Sequence, residues 1–340
     1  MISKKVILDC DPGSDDAIAM MLAMKSDAID LIGVTTVNGN RIVPKTTENA
    51  LRVVQFMKAS VPVYRGCEEP IICNEIPGRK PGLPRVTLND CHGDFLPLPE
   101  AEIRTEKEHA VFYLVKTLME SEGDIYVAAV GPLTNLAMAL RIEPKIAGKI
   151  KQLVIMGGGH CGANASPAAE FNFYADPEAA KIVMDSAIPK VILPLDATWR
   201  ACLSEEKCKE LAQLGTPEAK VAAALVQKRI DNLKVNDVSE HNYALRHQAG
   251  TVAGAMLYRY DNHMAPIHDA LAIAYLINEN VVTELADANV DIDIAGGLCD
   301  GRMVADFHNT KKSKDPVTAK VALNSDAGLF TDMLFAALGK

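Results

Sequence analysis

Asp9-Cys10-Asp11-Pro12-Gly13-Ser14-Asp15-Asp16 decides how this chain folds. Before it stands Val6-Ile7-Leu8, a short apolar, β-branched run that reads as a buried strand. After it, Asp15 to Ser26 is built of Ala, Met, Leu and Ile, a helical composition. A strand that passes through an Asp-, Pro- and Gly-rich turn into a helix is the first half of a βαβ unit. Leu31 to Val37 reads as the next strand, about Thr46 to Lys58 as a helix, and Val61 to Tyr64 as a third strand. The order β-α-β-α-β predicts parallel strands joined by helical crossovers. The acidic turn then lies at the C-terminal end of the first strand, where open α/β sheets place their ligand sites.

Further along, the stretch from Gly66 to about Glu102 contains six prolines and no amphipathic period. A loop of that length in a compact protein is usually functional. A helix from about Glu106 to Glu120 restarts the pattern. A strand (Ile125 to Ala129), a helix (Thr134 to Leu140) and a strand (Leu153 to Ile155) follow. A second Gly-rich loop, Gly157 to Asn172, leads to a helix start with Asp176 as N-cap, Pro177 in the first helical position and Glu178 complementing the dipole. Val191 to Leu195 is a strand. Ser204 to about Tyr260 is helical and strand-free, a further helix opens at His268-Asp269, and alternation in Val290 to Ala295 and Met303 to Phe307 suggests a small β-meander. There is no internal repeat, low-complexity segment or flexible linker. The expectation is one α/β domain over residues 1–340: an open, mostly parallel, Rossmann-like sheet flanked by helices, with a helical insertion at about 204–260 and a small C-terminal β-meander.

Composition narrows the partners. Of 340 residues, 49% are hydrophobic and 23% charged, and 44 acidic against 35 basic side chains leave a net charge of −9. Such a surface repels nucleic-acid backbones and anionic membranes, and suits a small neutral ligand or one held through a cation. The N-terminus has no apolar run of signal-peptide length, and the longest such run, Ala17 to Met24, is too short to cross a bilayer, so a cytoplasmic protein is expected. Eight scattered cysteines without a CxxC pair read as free thiols, most of them buried, rather than a zinc site.

The acidic turn puts four carboxylates within eight residues. Held together they repel and raise one another's pKa; a bound hard cation, Ca²⁺ or Mg²⁺, removes the conflict. The plainer reading is that Asp15 and Asp16 complement a helix N-terminus and the others are solvated. His268-Asp269, at a helix start, can supply a distant carboxylate to the same cation, or can be an Asp cap beside a surface His. Asn164, Glu170 and Asn172 are polar groups suited to sugar hydroxyls, though Asn and Gly are also ordinary loop formers.

Taken together these motifs resemble the inosine–uridine type nucleoside hydrolase family over nearly the whole chain. The family's opening signature DxDPGxDD stands complete at Asp9 to Asp16. Val37-Asn38-Gly39-Asn40, Val130-Gly131-Pro132-Leu133-Thr134-Asn135, Met156-Gly157-Gly158-Gly159, Ala169-Glu170-Phe171-Asn172, Asp176-Pro177-Glu178-Ala179-Ala180 and His268-Asp269 follow in the family's order. The resemblance implies hydrolysis of the N-glycosidic bond of ribonucleosides to ribose and free base, in purine or pyrimidine salvage and ribonucleoside catabolism. It implies Ca²⁺ held by Asp11, Asp16 and Asp269 and by the Val130 carbonyl, with Asp11 also taking the proton from a water. Asp15 and Asn172 would hold the 2′- and 3′-hydroxyls, Asn164 and Glu170 would face the 5′-hydroxyl, and Asn40 and Met156 would lie beside the ribose. His92 would stand in the loop over the site, and His268 would protonate the leaving base. Assembly as a homodimer or homotetramer is the family-level expectation.

The chain departs from the pattern in places. Where many relatives carry an HGxxGLG-like stretch it reads His92-Gly93-Asp94-Phe95-Leu96-Pro97-Leu98-Pro99. No tyrosines stand near Asp231 to Asn236; Tyr243, Arg246 and His247 are candidates for base recognition or decorate a surface helix. The sole tryptophan is Trp199, whereas relatives that activate purines by stacking use tryptophans and lack the His-Asp pair; a broad or pyrimidine-accepting enzyme is therefore expected. Two other readings compete: a nucleoside- or ribose-binding protein without turnover, and a metal-dependent phosphohydrolase of haloacid dehalogenase type, whose downstream Lys and Ser/Thr motifs cannot be placed.

Overall fold

The computed structural model describes residues 3–72, 93–235, 263–310 and 319–340. The chain opens β1 (Lys4–Cys10), α1 (Ser14–Lys25), β2 (Ile29–Thr36), α2 (Val43–Phe56) and β3 (Val63–Arg65), the βαβαβ start that the sequence predicts. After the first long loop come α3 (Ala110–Glu120), β4 (Ile125–Ala129), α4 (Thr134–Ile142) and β5 (Ile150–Met156). A short α5 (Phe171–Ala175) precedes α6 (Pro177–Asp185), β6 (Lys190–Leu193) and the turn of helix α7 (Leu195–Thr198).

These strands form one sheet in the order β3-β2-β1-β4-β5-β6, all parallel. The C-terminal strands β9 (Val282–Ile292), β10 (Met303–Asp306) and β11 (Ala319–Ser325) extend the same sheet to nine strands. β11 runs parallel to β6, and β9 lies antiparallel between β11 and β10. The antiparallel pair was legible as alternation. The strand β11 and the closing helix α11 (Ala327–Leu338) were not anticipated, although Asp326 caps that helix by accepting from Leu329 N.

Strand parity divides the core into two layers. Val6, Leu8 and Cys10 face one side of the sheet, packed with α1 and α2 and with α10 (His268–Ile277); Ile7 and Val127 face the other, with α3, α4 and α6. Residues Ser14 to Ala23 of α1 are buried all round, which is why this helix reads apolar without an amphipathic stripe. It is enclosed by α10, α11 and α9 (Pro217–Val235).

The helical insertion has a neck. β7 (Cys202–Ser204) and β8 (Met264–Pro266) pair as a two-stranded antiparallel ribbon, with α8 (Glu205–Gln213) and α9 beyond it. Cys202-Leu203-Ser204 and Met264-Ala265-Pro266 hold no β-branched apolar run, so neither strand is legible in the sequence. Among the described residues, no helix is long and apolar enough to cross a membrane, and six cysteines are free thiols.

Asp176 caps α6 as its sequence indicates, and it does more. Fully buried, it accepts from Ala179 N (3.1 Å), the Thr134 hydroxyl (2.7 Å) and Ile71 N (3.0 Å), tying α6 to α4 and to the start of the first long loop. Asp176→Ala leaves these donors unpaired and should cost about 2–3 kcal/mol of stability, read as a lower urea midpoint at unchanged slope.

Candidate active site

The sheet order fixes where chemistry can happen. After β1 the chain crosses to α1 on one face; after the neighbouring β4 it crosses to α4 on the other. Such a reversal leaves a crevice at the C-terminal ends of the two strands. The turns after β1, β2, β4 and β5 meet there.

Asp9 differs from the other acids in still lying within β1, with the parity of Ile7. It points to the α4 layer, where its Oδ1 accepts from Thr35 Oγ1 (2.6 Å) and Asn135 Nδ2 (2.7 Å). Asn135 Nδ2 also donates to the Thr36 carbonyl, and its Oδ1 accepts from Cys67 N. Burial pushes the Asp9 carboxyl up to about 6, against the pull of those two donors. Asp9 thus ties β1, β2 and α4 together beneath the site.

Asp11 is held by its surroundings. Asn40 N donates to its Oδ2 (2.5 Å), and Asn40 Nδ2 donates to its carbonyl (3.1 Å) and to Asp16 Oδ2 (3.3 Å). Glycines flank the carboxylate: a Cβ on Gly39 would collide with Oδ2, and one on Gly131 would stand 2.7 Å from Oδ1. Asp16 accepts from Gly13 N (2.9 Å) and Asp11 N (3.2 Å), so the N-terminus of α1 orients it.

Across the crevice, α10 brings His268 and Asp269. Its N-cap is Ile267, with no side-chain cap, and both residues are buried. The plainer reading of this pair, an Asp cap beside a surface His, therefore does not hold. Carboxylate oxygens of Asp15, Asp16 and Asp269 lie within 4.8 Å of one another. Burial first, then the neighbouring aspartates, raise Asp11 and Asp269 well above the ordinary carboxylate range. A buried, all-oxygen group of like charges fits a hard divalent cation, which would relieve the repulsion. Asp11 is linked to this compact group through its own amide, which donates to Asp16, and through Asn40, which donates to both. His268 Nδ1 is hydrogen-bonded to Thr198 Oγ1 (2.8 Å), and the Trp199 ring meets the imidazole edge to face at 4.6 Å.

The second half of the crevice comes from the loop after β5. Asn172 Nδ2 donates to the Val130 carbonyl (2.9 Å) and the Met156 carbonyl (3.1 Å), joining the ends of β4 and β5. Glu170 accepts from Gly158 N, Asn172 N and Phe173 N. Its burial outweighs those donors and lifts it to about 7. Gly158 has φ +74°, and a Cβ there would press on Phe173 and Met303, which accounts for the glycine. Asn164 Oδ1 accepts from Phe171 N, so its side chain braces the start of α5.

The structure brings together Asp11, Asp15, Asp16, Asp269 and Asn40, with Val130, Met156, Glu170 and Asn172 alongside. His92, Tyr243, Arg246 and His247 lie outside the described residues. Sequence reasoning missed Thr198, for which no signal exists, and Arg229. Arg229 Nη1 is 2.7 Å from Asp15 Oδ1 and 3.2 Å from Ser14 Oγ. A signal was there: Ala222, Leu225, Val226 and Arg229 share one helical face at i, i+3, i+4, i+7, and the first three are buried.

Comparison with known proteins agrees with this geometry. Residues 6–332 match the family described as inosine-uridine preferring nucleoside hydrolase. The chain is 36% identical to the pyrimidine-specific ribonucleoside hydrolase RihB of Escherichia coli O157:H7, over 97% of this chain and 95% of that protein. Among solved structures it is similar to a plant nucleoside hydrolase, PpNRh1 (TM-score 0.80, 26% identity, 99% of each chain). It is also similar to a purine-preferring ribonucleoside hydrolase from Gardnerella vaginalis (TM-score 0.78, 26% identity, 99% of this chain and 98% of that one).

Two outcomes follow from the packing. Gly39→Ala must move the Asp11 carboxylate and should lower catalytic rate by about 10²-fold with the fold retained by circular dichroism, because displacements near 1 Å cost that much. Glu170 and Asp176, held at about 7 and about 6, keep protons in the folded state that the unfolded chain has already released. Their contribution is therefore full below about pH 4 and is lost as pH rises towards 7. Thermal melts of metal-free protein should show Glu170→Gln flattening the fall in stability across that window.

Proposed function

The chain belongs to the inosine-uridine preferring nucleoside hydrolase family and hydrolyses N-glycosyl bonds of ribonucleosides; on that premise we propose that its acid cluster works with Ca²⁺ and that Asp11 activates the attacking water. The observation that carries this reading is the buried carboxylate group at the C-terminal end of β1, with Asp11 wedged between Gly39 and Gly131. Asp11, Asp16, Asp269 and the Val130 carbonyl would hold the cation. When bound, Ca²⁺ supplies a positive centre for the ribose diol and makes water more acidic.

Asp11 takes one proton as water attacks C1′. The C1′–N bond breaks, its electron pair leaves with the base, and His268 delivers a proton to that base. Hydroxide equivalent and proton together balance one water added. The transition state resembles an oxocarbenium ion, and clustered carboxylates stabilise its positive charge. Asp15 and Asn172 receive the 2′- and 3′-hydroxyls, Asn164 and Glu170 the 5′-hydroxyl, and Asn40 and Met156 flank the ribose. The contact to Thr198 orients His268 for its donation. His92, outside the described residues, belongs to this reading as a substrate-binding residue that the family resemblance implies.

The similarity to a pyrimidine-specific enzyme supports uridine and cytidine as the first substrates. A role in ribonucleoside salvage and a homodimeric or homotetrameric assembly complete the reading. The family match leaves no place for the haloacid dehalogenase alternative. The non-catalytic binder is separated by experiment.

Ribose release from uridine, cytidine, inosine and adenosine, each with and without a Ca²⁺ chelator, should appear only with metal present and be greatest for the pyrimidines. Asp11→Asn should abolish turnover while retaining nucleoside binding. His268→Ala should slow turnover by about 10²–10⁴-fold, the scale of general acid catalysis. Nucleoside binding by wild type with no ribose from any of the four would establish the binder instead.

A further inference from the structure

Arg229 reaches the acid cluster from α9, a helix of the insertion. Its Nη1 lies 2.7 Å from Asp15 Oδ1 and 3.2 Å from Ser14 Oγ, joining residues 215 apart in sequence. The two charged side chains are 11% and 8% exposed, so the contact is nearly enclosed. Removing a guanidinium from water is costly unless an anion meets it. Here three anions lie close together, and the contact is made with one of them.

That choice matters because the cluster's geometry alone does not divide the labour. Oxygens of Asp15, Asp16 and Asp269 are mutually within 4.8 Å, so all of them could close around one ion. Asp11 is held to one side by Asn40 N, and Asp16 by the amides of Gly13 and Asp11. Asp15 is the acid that the Arg229 guanidinium meets directly, at 2.7 Å, while the same charge acts on Asp269 from further off.

We propose that Arg229 is a positioning residue that assigns Asp15 to the sugar: the ion pair keeps this carboxylate out of the cation's shell and turned to the ribose 2′-hydroxyl, and so sets the preference for ribonucleosides over 2′-deoxyribonucleosides. The proposal rests on the reading of Asp15 as a hydroxyl acceptor. The guanidinium suits the task, because its planar fork can meet the Asp15 carboxylate and the Ser14 hydroxyl together, where an ammonium is a single point charge. The assignment also explains why a charged residue occupies the apolar face of α9.

The test compares kcat/KM for uridine and 2′-deoxyuridine in wild type, Arg229→Met, Arg229→Lys, Asp15→Asn and the Asp15→Asn/Arg229→Met double variant. Ca²⁺ affinity is measured alongside by calorimetry. Arg229→Met should lose roughly 10- to 100-fold on uridine and less than about threefold on 2′-deoxyuridine, the scale of a hydrogen bond to a charged group. Its Ca²⁺ affinity should be unchanged or tighter, since a positive charge has left the cluster. In the Asp15→Asn background the Met substitution should leave the substrate ratio unchanged. If Arg229→Met fails to fold, Arg229→Lys carries the test, with the same shift in ratio at smaller size. A wild type that discriminates, with an Arg229 variant that loses both substrates equally, overturns the proposal and leaves the Asp15 reading standing. A wild type that cleaves both substrates alike overturns both.

Discussion

Mutual repulsion of buried carboxylates governs this molecule. Asp11, Asp15, Asp16 and Asp269 are all buried and crowd one crevice. Taking an ionised carboxylate out of water is unfavourable, and placing several together compounds it. The fold supplies partial answers: amides at the N-terminus of α1, the Asn40 amide and one guanidinium. These donors orient the acids more than they neutralise them. The remaining negative charge is what fits the crevice to a hard cation.

The supporting architecture serves that arrangement. Asp9 is the strand residue that fastens β1 to β2 and α4, so the turn carrying Asp11 starts from a fixed point. Asn49 makes a comparable link higher up. It donates to the Pro12 carbonyl and accepts from Leu96 N, tying the acidic turn to the returning end of the first long loop. Arg41 does the same from the rim, donating to the Asn40 carbonyl and to Asp94. The described end of the loop, at Asp94 and Leu96, is thus docked onto the residues that hold Asp11.

Much of this was legible from the chain alone, because it rests on local chemistry. The strand–turn–helix opening is written in Val6 to Ser26, and the Asp176-Pro177-Glu178 start of α6 uses capping rules that act within a few residues. The carboxylate cluster was legible from the acids around one Pro-Gly turn, although the first of the four, Asp9, serves as a fastener of β1 and not as a member of the crevice group. What escaped reading depends on distant partners. β11 lies between β9 and β6 only once the sheet assembles, and the β7–β8 ribbon joins segments with the whole insertion between them. Thr198 matters only because α7 ends beside His268. Arg229 was hidden by its own ordinariness: an arginine in a polar-looking helix invites a solvated reading until the helical face is drawn.

The ribbon has a consequence for how such a protein can change over time. The insertion leaves the sheet at Ser204 and returns at Met264, and these two residues are paired with each other. Its ends are already together, so lengthening what lies between costs only a logarithmic loop-closure term, about 0.6 kcal/mol for each doubling. The sheet, its acids and its two-layer core need not notice. Yet the segment delivers a side chain to Asp15, and its return strand runs directly into His268. The length of this segment can therefore change at little thermodynamic cost, so long as Arg229 and the junction of β8 with α10 keep their places.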